Sequence, residues 1–186
     1  MLFNTHSGIF GTHAFLSASN YHWVNYDDDK LDRTFLASMA ARRGTELHAF
    51  AHEAIRLGIR LPSSKKTLHL YVNDAIGYRM VTEQVLFYSI NCYGTADTIC
   101  FRRNTLRIHD LKTGVTEGSV HQLEVYAALF CHEYRYKPHE IKIELRIYQS
   151  NEIRIYDADP DVIAHIMDRM VYFDKRINAI RLEAQQ

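Results

Sequence analysis

Apolar residues recur at helical spacing through Leu31, Phe35 and Met39, good helix formers dominate as far as Leu57, and Gly58 follows, which predicts one long helix over 31–57. Gly44 interrupts this pattern. A glycine costs about 1 kcal/mol inside a helix relative to alanine, so it implies a break there or the close approach of another backbone or a phosphate. A second helix is predicted over 66–80, although Tyr71, Val72 and Ile76 carry some strand preference. The pattern then changes to short runs rich in β-branched and aromatic residues, 83–90, 95–101 and 105–112, separated by Asn91 to Gly94 and by Arg102 to Asn104. These read as a three-strand meander. Helical spacing returns over 119–136 with Val120, Leu123, Ala127, Phe130 and Tyr134 on one stripe. Two further strands are expected, 140–148 and 152–156, turning at Gln149-Ser150-Asn151. A last helix should start at Asp159 as N-cap with Pro160 in its first turn and run to about Ala184. The order helix, meander, helix, two strands, helix argues for an α/β sandwich built on a mixed sheet.

Composition narrows the class. The chain has 186 residues, 47 % hydrophobic and 12 % aromatic, with no low-complexity tract or repeat, which fits one globular domain spanning 1–186. The start, 1–20, lacks a basic region followed by a continuous apolar one, and nowhere do about 18 apolar residues run uninterrupted, so no membrane partner is expected. Three cysteines, Cys92, Cys100 and Cys131, suit a reducing compartment, and the expectation is a soluble protein of the cytoplasm or of a host cytoplasm. Formal net charge is zero, but Arg42, Arg43, Arg56, Arg60, Lys65 and Lys66 gather around the first helix, while acids cluster at 27–29 and 157–161.

The candidate chemistry lies in the meander. With Arg103 and Asn104 as a two-residue turn, the antiparallel register pairs Arg102 with Thr105, Phe101 with Leu106, Ile99 with Ile108, and Asp97 with Asp110. Directly opposed residues on one face have Cβ atoms about 4.5–5.5 Å apart, and like charges there repel. A divalent cation taking hard carboxylate oxygens would relieve the repulsion. Lys112 shares the strand parity of Asp110, so its ammonium should project from the same face. Two acids, a cation and a lysine at one sheet end suit phosphodiester cleavage. His48 and His52 lie four apart on one helix face, a spacing that can hold zinc, but the stretch reads HAFAH and lacks the glutamate of zinc hydrolases. His6, His13, His22, His69 and His109 form no ligand spacing.

The string D-x(12)-D-x-K resembles the PD-(D/E)xK nuclease pattern, and its surroundings resemble the RecB-like exonuclease branch. Arg43-Gly44-Thr45-Glu46-Leu47-His48 is similar to that branch's RGTxxH motif, and Gln122-Leu123-Glu124-Val125-Tyr126 to its QxxxY motif. The likeness spans about residues 17 to 150. It implies a restriction-endonuclease-like core, a mixed sheet flanked by helices. It further implies Asp97, Asp110, His48 and the Leu111 carbonyl as metal ligands, with Mg2+ or Mn2+ as the cofactor. Glu83, Asp97, Asp110 and Lys112 become the catalytic set, and Arg43, Thr45, Gln122 and Tyr126 DNA contacts. An iron–sulfur cluster, found in several relatives with four cysteines, is not expected from three, and no G-x(4)-G-K-[ST] helicase string is present.

The activity implied is a metal-dependent DNA exonuclease acting on single strands or duplex ends, similar to small phage or mitochondrial-type enzymes. Two rivals remain: a structure-specific endonuclease or nickase, and a non-cleaving nucleic-acid-binding module on the same fold.

Overall fold

The computed structural model describes residues 7–9 and 13–184. His6 therefore lies outside the described residues, as do the other residues of 1–6 and residues 10–12. The chain forms two compact units, Met1–Arg43 and Gly44–Gln186.

In the first unit, 3-10 turns at Ser7–Ile9 and Ala18–Asn25 precede the start of helix α1 (Asp28–Leu57). Trp23 Nε1 donates to the Ser17 carbonyl at 2.9 Å, and Phe15 meets Phe35 edge to face at 5.1 Å. Asp27 caps α1 by accepting the Lys30 N–H at 2.7 Å, with Asp28 and Asp29 in the first turn, where the helix dipole favours negative charge. The acidic run at 27–29 is thus a helix start. The unit boundary falls inside α1, which is continuous through Gly44.

The second unit is α/β. Its sheet contains β1 (Val81–Ser89), β2 (Cys92–Arg102), β3 (Thr105–Leu111), β4 (Lys142–Gln149) and β5 (Glu152–Asp157), in that spatial order. β1, β2 and β3 form the expected antiparallel meander; β3 and β4 are parallel across helix α3 (His121–Tyr134), and β5 returns antiparallel on β4. Two of the three two-residue hairpin turns use paired left-handed residues, Arg103–Asn104 and Ser150–Asn151, whose twist matches that of the strands they join. Helix α2 is Thr67–Tyr78, and helix α4, Pro160–Glu183, begins at Asp159, whose side chain accepts the Asp161 N–H.

Strand alternation divides the interior into two cores. Leu106, Ile108, Ile143, Leu145 and Ile147 pack against α3 and α4. On the opposite face Cys100, Leu111 and Tyr148 pack against α2 and against Ala51, Ala54 and Ile55 of α1. The second face also carries charge. Glu144 Oε1 accepts from Arg107 Nε and Arg146 Nε at 3.1 and 3.0 Å, while Arg146 reaches Asp74 at 3.2 Å and the Tyr78 hydroxyl at 2.8 Å. Both guanidinium groups lie over the Tyr78 ring. Charges this buried need partners on every side, and here they bind α2 to the middle of the sheet. Within the remaining charge clusters, Arg56 pairs with Glu53, Asp157 with Lys142, and Asp161 with His139. Among the described residues, no helix is long and apolar enough to cross a membrane.

His109 is fully buried beside this network. Burial first, then the charges of Arg146 and Arg107, push its pKa down to about 3. It is neutral when folded, while the unfolded chain takes up a proton below about pH 6.5. The stability it contributes is therefore present above that pH and lost as pH falls toward 3. Between pH 6.5 and 4.5, denaturant titrations should show wild type losing up to about 1.4 kcal/mol per pH unit more than His109→Gln. Parallel profiles would show that His109 does not titrate differently on unfolding.

Candidate active site

The β2–β3 ladder runs in the expected register from Arg102↔Thr105 to Thr98↔His109, and the next rung would set Asp97 against Asp110. That rung is not a backbone one. The Lys112 N–H donates to the Tyr148 carbonyl on β4 at 2.9 Å, so the N–H of Leu111, one residue earlier, faces β2. There it donates to Asp97 Oδ2 at 3.0 Å.

Alternation along β2 also shifts at this point, because Ala96 and Ile99, of opposite parity, both lie in the α3-side core. The two acids therefore do not stand side by side on one face as a flat ladder implies. Asp97 turns toward α1, where His48 Nδ1 is 3.5 Å from its Oδ2. Asp110 turns toward α3. Lys112 Nζ donates to Asp110 Oδ1 at 3.0 Å and stands 3.0 Å from Oδ2 without the alignment of a second bond, so Oδ2 is buried with no hydrogen-bond partner. Burial, and next the charge of Asp97, push the Asp110 pKa up, opposed by Lys112.

Lys112 is held from α3 as well. Its Nζ donates to Gln122 Oε1 at 2.9 Å, and Gln122 Nε2 donates to the Tyr126 hydroxyl at 3.0 Å. Gln122 and Tyr126 share a helix face, as their spacing predicts, and both ends of the Gln122 amide are engaged within the protein. Gly94 permits this arrangement, since a Cβ there would come within 2.9 Å of the Tyr126 ring.

Glu83 extends the acids into a row. Thr82 pairs with Thr98 and Gln84 with Ala96, which leaves Glu83 opposite Asp97, outside the ladder and with φ 50°. A non-glycine residue with positive φ inside a strand is strained, and such strain gathers at functional sites. His52 approaches from α1, sharing a 2.5 Å hydrogen bond with Thr82 Oγ1 and lying 3.7 Å from Glu83 Oε2. The i, i+4 histidines thus address two different acids, His48 facing Asp97 and His52 facing Glu83. With Ala51 and Tyr71 these four residues line a cavity of about 20 Å³, room for about one water-sized species. Burial and then the nearby Asp97 charge keep the Tyr71 phenol protonated.

The turn after Lys112 fixes where α1 sits in this unit. A Cβ on Gly44 would stand 2.7 Å from Thr113 Oγ1, so the close approach expected at this glycine comes from a threonine side chain. Thr45 is exposed; Arg43 is exposed too and is the last residue of the first unit. Leu111 is buried. His52, Tyr71 and Thr82 went unassigned on sequence, and only His52 gave a signal, its spacing from His48. Among the described residues, no three His, Cys, Asp or Glu side chains gather closely enough to hold a metal as they stand. Asp110 Oδ2, buried and unpartnered, nevertheless fits a hard cation's oxygen ligand.

No family model matches the chain, and no curated protein or solved structure is significantly similar to it.

The raised Asp110 pKa has a consequence for stability. A carboxyl whose folded pKa is raised stabilises the fold at low pH, and that contribution disappears as pH rises through the folded pKa. At neutral pH, in chelator, Asp110→Asn should therefore melt at a higher temperature than wild type, by a few degrees. An unchanged or lower melting temperature would mean that the Lys112 pair fully offsets the burial of the charge.

Proposed function

We propose that the chain is a divalent-metal-dependent deoxyribonuclease with a restriction-endonuclease-like core of the RecB-like branch, acting as an exonuclease. The observation that carries this reading is Asp110: a buried, partly unsatisfied carboxylate, opposite Asp97 just beyond the last β2–β3 rung and in contact with Lys112, at the end of strand β3. Burying a carboxylate with one oxygen left without a hydrogen bond costs stability, and sites that do so are commonly functional.

Asp97, Asp110, His48 and the Leu111 carbonyl would hold Mg2+ or Mn2+. When bound, the ion would lower the pKa of a water and neutralise charge on the scissile phosphate. Lys112, fixed between Asp110 and Gln122, would present its ammonium to a non-bridging phosphate oxygen as negative charge develops there. Glu83, exposed and backed by His52, is suited to accept a proton from the attacking water. Arg43, Thr45, Gln122 and Tyr126 would engage the DNA. Gln122 acts in this scheme mainly by positioning Lys112, because its amide oxygen is already committed to that ammonium.

Asp110→Asn should abolish Mg2+-dependent cleavage of linear DNA while leaving DNA binding within about threefold of wild type. Near-wild-type turnover would refute the assignment. Lys112→Ala should leave metal affinity intact and slow single-turnover cleavage by about 10² to 10³. Should metal binding collapse while the saturated rate survives, Lys112 has a structural role instead. Gln122→Ala should lower the rate less than Lys112→Ala and add little to it in the double variant, since both act on the same ammonium.

A further inference from the structure

The outer face of the β1–β2 hairpin continues the acid row away from the candidate site. Val85, Phe87, Tyr93 and Thr95 alternate with Leu86, Gly94 and Ala96, which turn toward α3. Phe87 and Tyr93 are cross-strand partners whose rings lie 6.3 Å apart and 28° from parallel. They are 47 % and 60 % exposed, with Val85 beside them at 49 %. Tyr93 precedes Asp97 on β2, and Glu83 precedes Phe87 on β1, by the same number of residues. At ~3.3 Å per residue, the rings lie about 13 Å from the acids.

β1 is the edge of the sheet, and an open edge normally invites another strand. This one is closed beside the aromatic pair. The outward N–H of Phe87 donates to Glu133 Oε2 at 2.8 Å, and the Val85 carbonyl accepts from Gln84 Nε2 at 2.7 Å. A strand-adding protein, or a second copy of the chain adding edge to edge, would have to displace the Glu133 and Gln84 side chains. What stays open is about half of each aromatic residue's surface.

We propose that Phe87 and Tyr93 form a stacking platform for the bases of a single-stranded nucleic acid whose backbone continues along this face toward Glu83 and Asp97. The proposal rests on the nuclease reading and names its substrate class: single strands, or the unpaired end of a duplex. Aromatic side chains bind bases through their π-faces whatever the sequence, whereas a duplex hides those faces in its own stack. The platform lies up to about four nucleotides from the cut, at the ~3.4 Å rise of stacked DNA. Its continuity with the acid row, on the same two strands and in the same register, favours a substrate strand over a separate protein partner.

The test uses the full chain carrying Asp110→Asn, with fluorescein-labelled single-stranded oligonucleotides and the matching blunt duplex. Adding Tyr93→Ala should weaken single-strand binding by about tenfold or more and duplex binding much less, and Tyr93→Phe should restore it. An abasic site moved along the oligonucleotide should weaken binding at one position in the Tyr93 parent and have no further effect with Tyr93→Ala. In the otherwise wild-type chain, Tyr93→Ala and Phe87→Ala should raise KM with little change in kcat. Unchanged single-strand affinity in Tyr93→Ala together with a flat abasic scan overturns the platform. So does a wild-type dimer in sedimentation that Tyr93→Ala dissociates, which would make this face a protein interface. If Asp110→Asn still cuts DNA, the catalytic reading fails separately, and the abasic scan still decides the platform.

Discussion

The hydrogen bond from the Leu111 N–H to the Asp97 carboxylate is the interaction on which the site's geometry depends. In a continued ladder that N–H would meet a β2 carbonyl, and Asp97 and Asp110 would be held side by side. With a side-chain oxygen in its place, the N–H stays satisfied while the sheet parts at its end. One acid can then turn toward α1 and its histidines and the other toward α3 and its glutamine. Each flanking layer supplies part of the site, and the sheet supplies the spacing between the parts.

That arrangement places negative charge where the surroundings disfavour it. Asp110 is buried, Asp97 is near enough to oppose its ionisation, and Glu83 sits across from Asp97 in a strained backbone conformation. Lys112 offsets part of this, and is itself steadied through Gln122 and by a Tyr126 ring seated over Gly94. The β3 and β4 strands beside it are packed on both faces, by an apolar core on one and by the Glu144–Arg146–Asp74 network on the other. A bound divalent cation would convert the liability at Asp110 into function, which is the logic of the nuclease proposal.

Much of the fold was legible in the sequence because periodicity and turn chemistry are local. The Arg103–Asn104 turn, the register it sets, the Asp159 cap and all four helices follow from neighbouring residues alone. The expected fold class is met at the level of a mixed α/β sheet with flanking helices. What was not legible is what long-range packing decides. The break in alternation that parts Asp97 from Asp110 depends on how β1, β2 and α1 meet, and no residue spacing encodes it. Tyr71 reads only as a helix position with some strand preference until α2 is laid against the sheet. The Arg107–Glu144–Arg146–Asp74 network joins residues from α2, β3 and β4, which no sequence spacing links. His52 was closest to view, since its spacing from His48 was plain, but the acid it faces lies on another strand.

The central claim is that Asp97 and Asp110 together hold a divalent cation, and anomalous diffraction from a crystal soaked in manganese tests it most directly. The account predicts one strong peak bound by both carboxylates, with the Leu111 carbonyl and His48 around it and Lys112 displaced from Asp110 Oδ2. A soak at saturating manganese that leaves no peak there, with Asp110 still closed on Lys112, would contradict it.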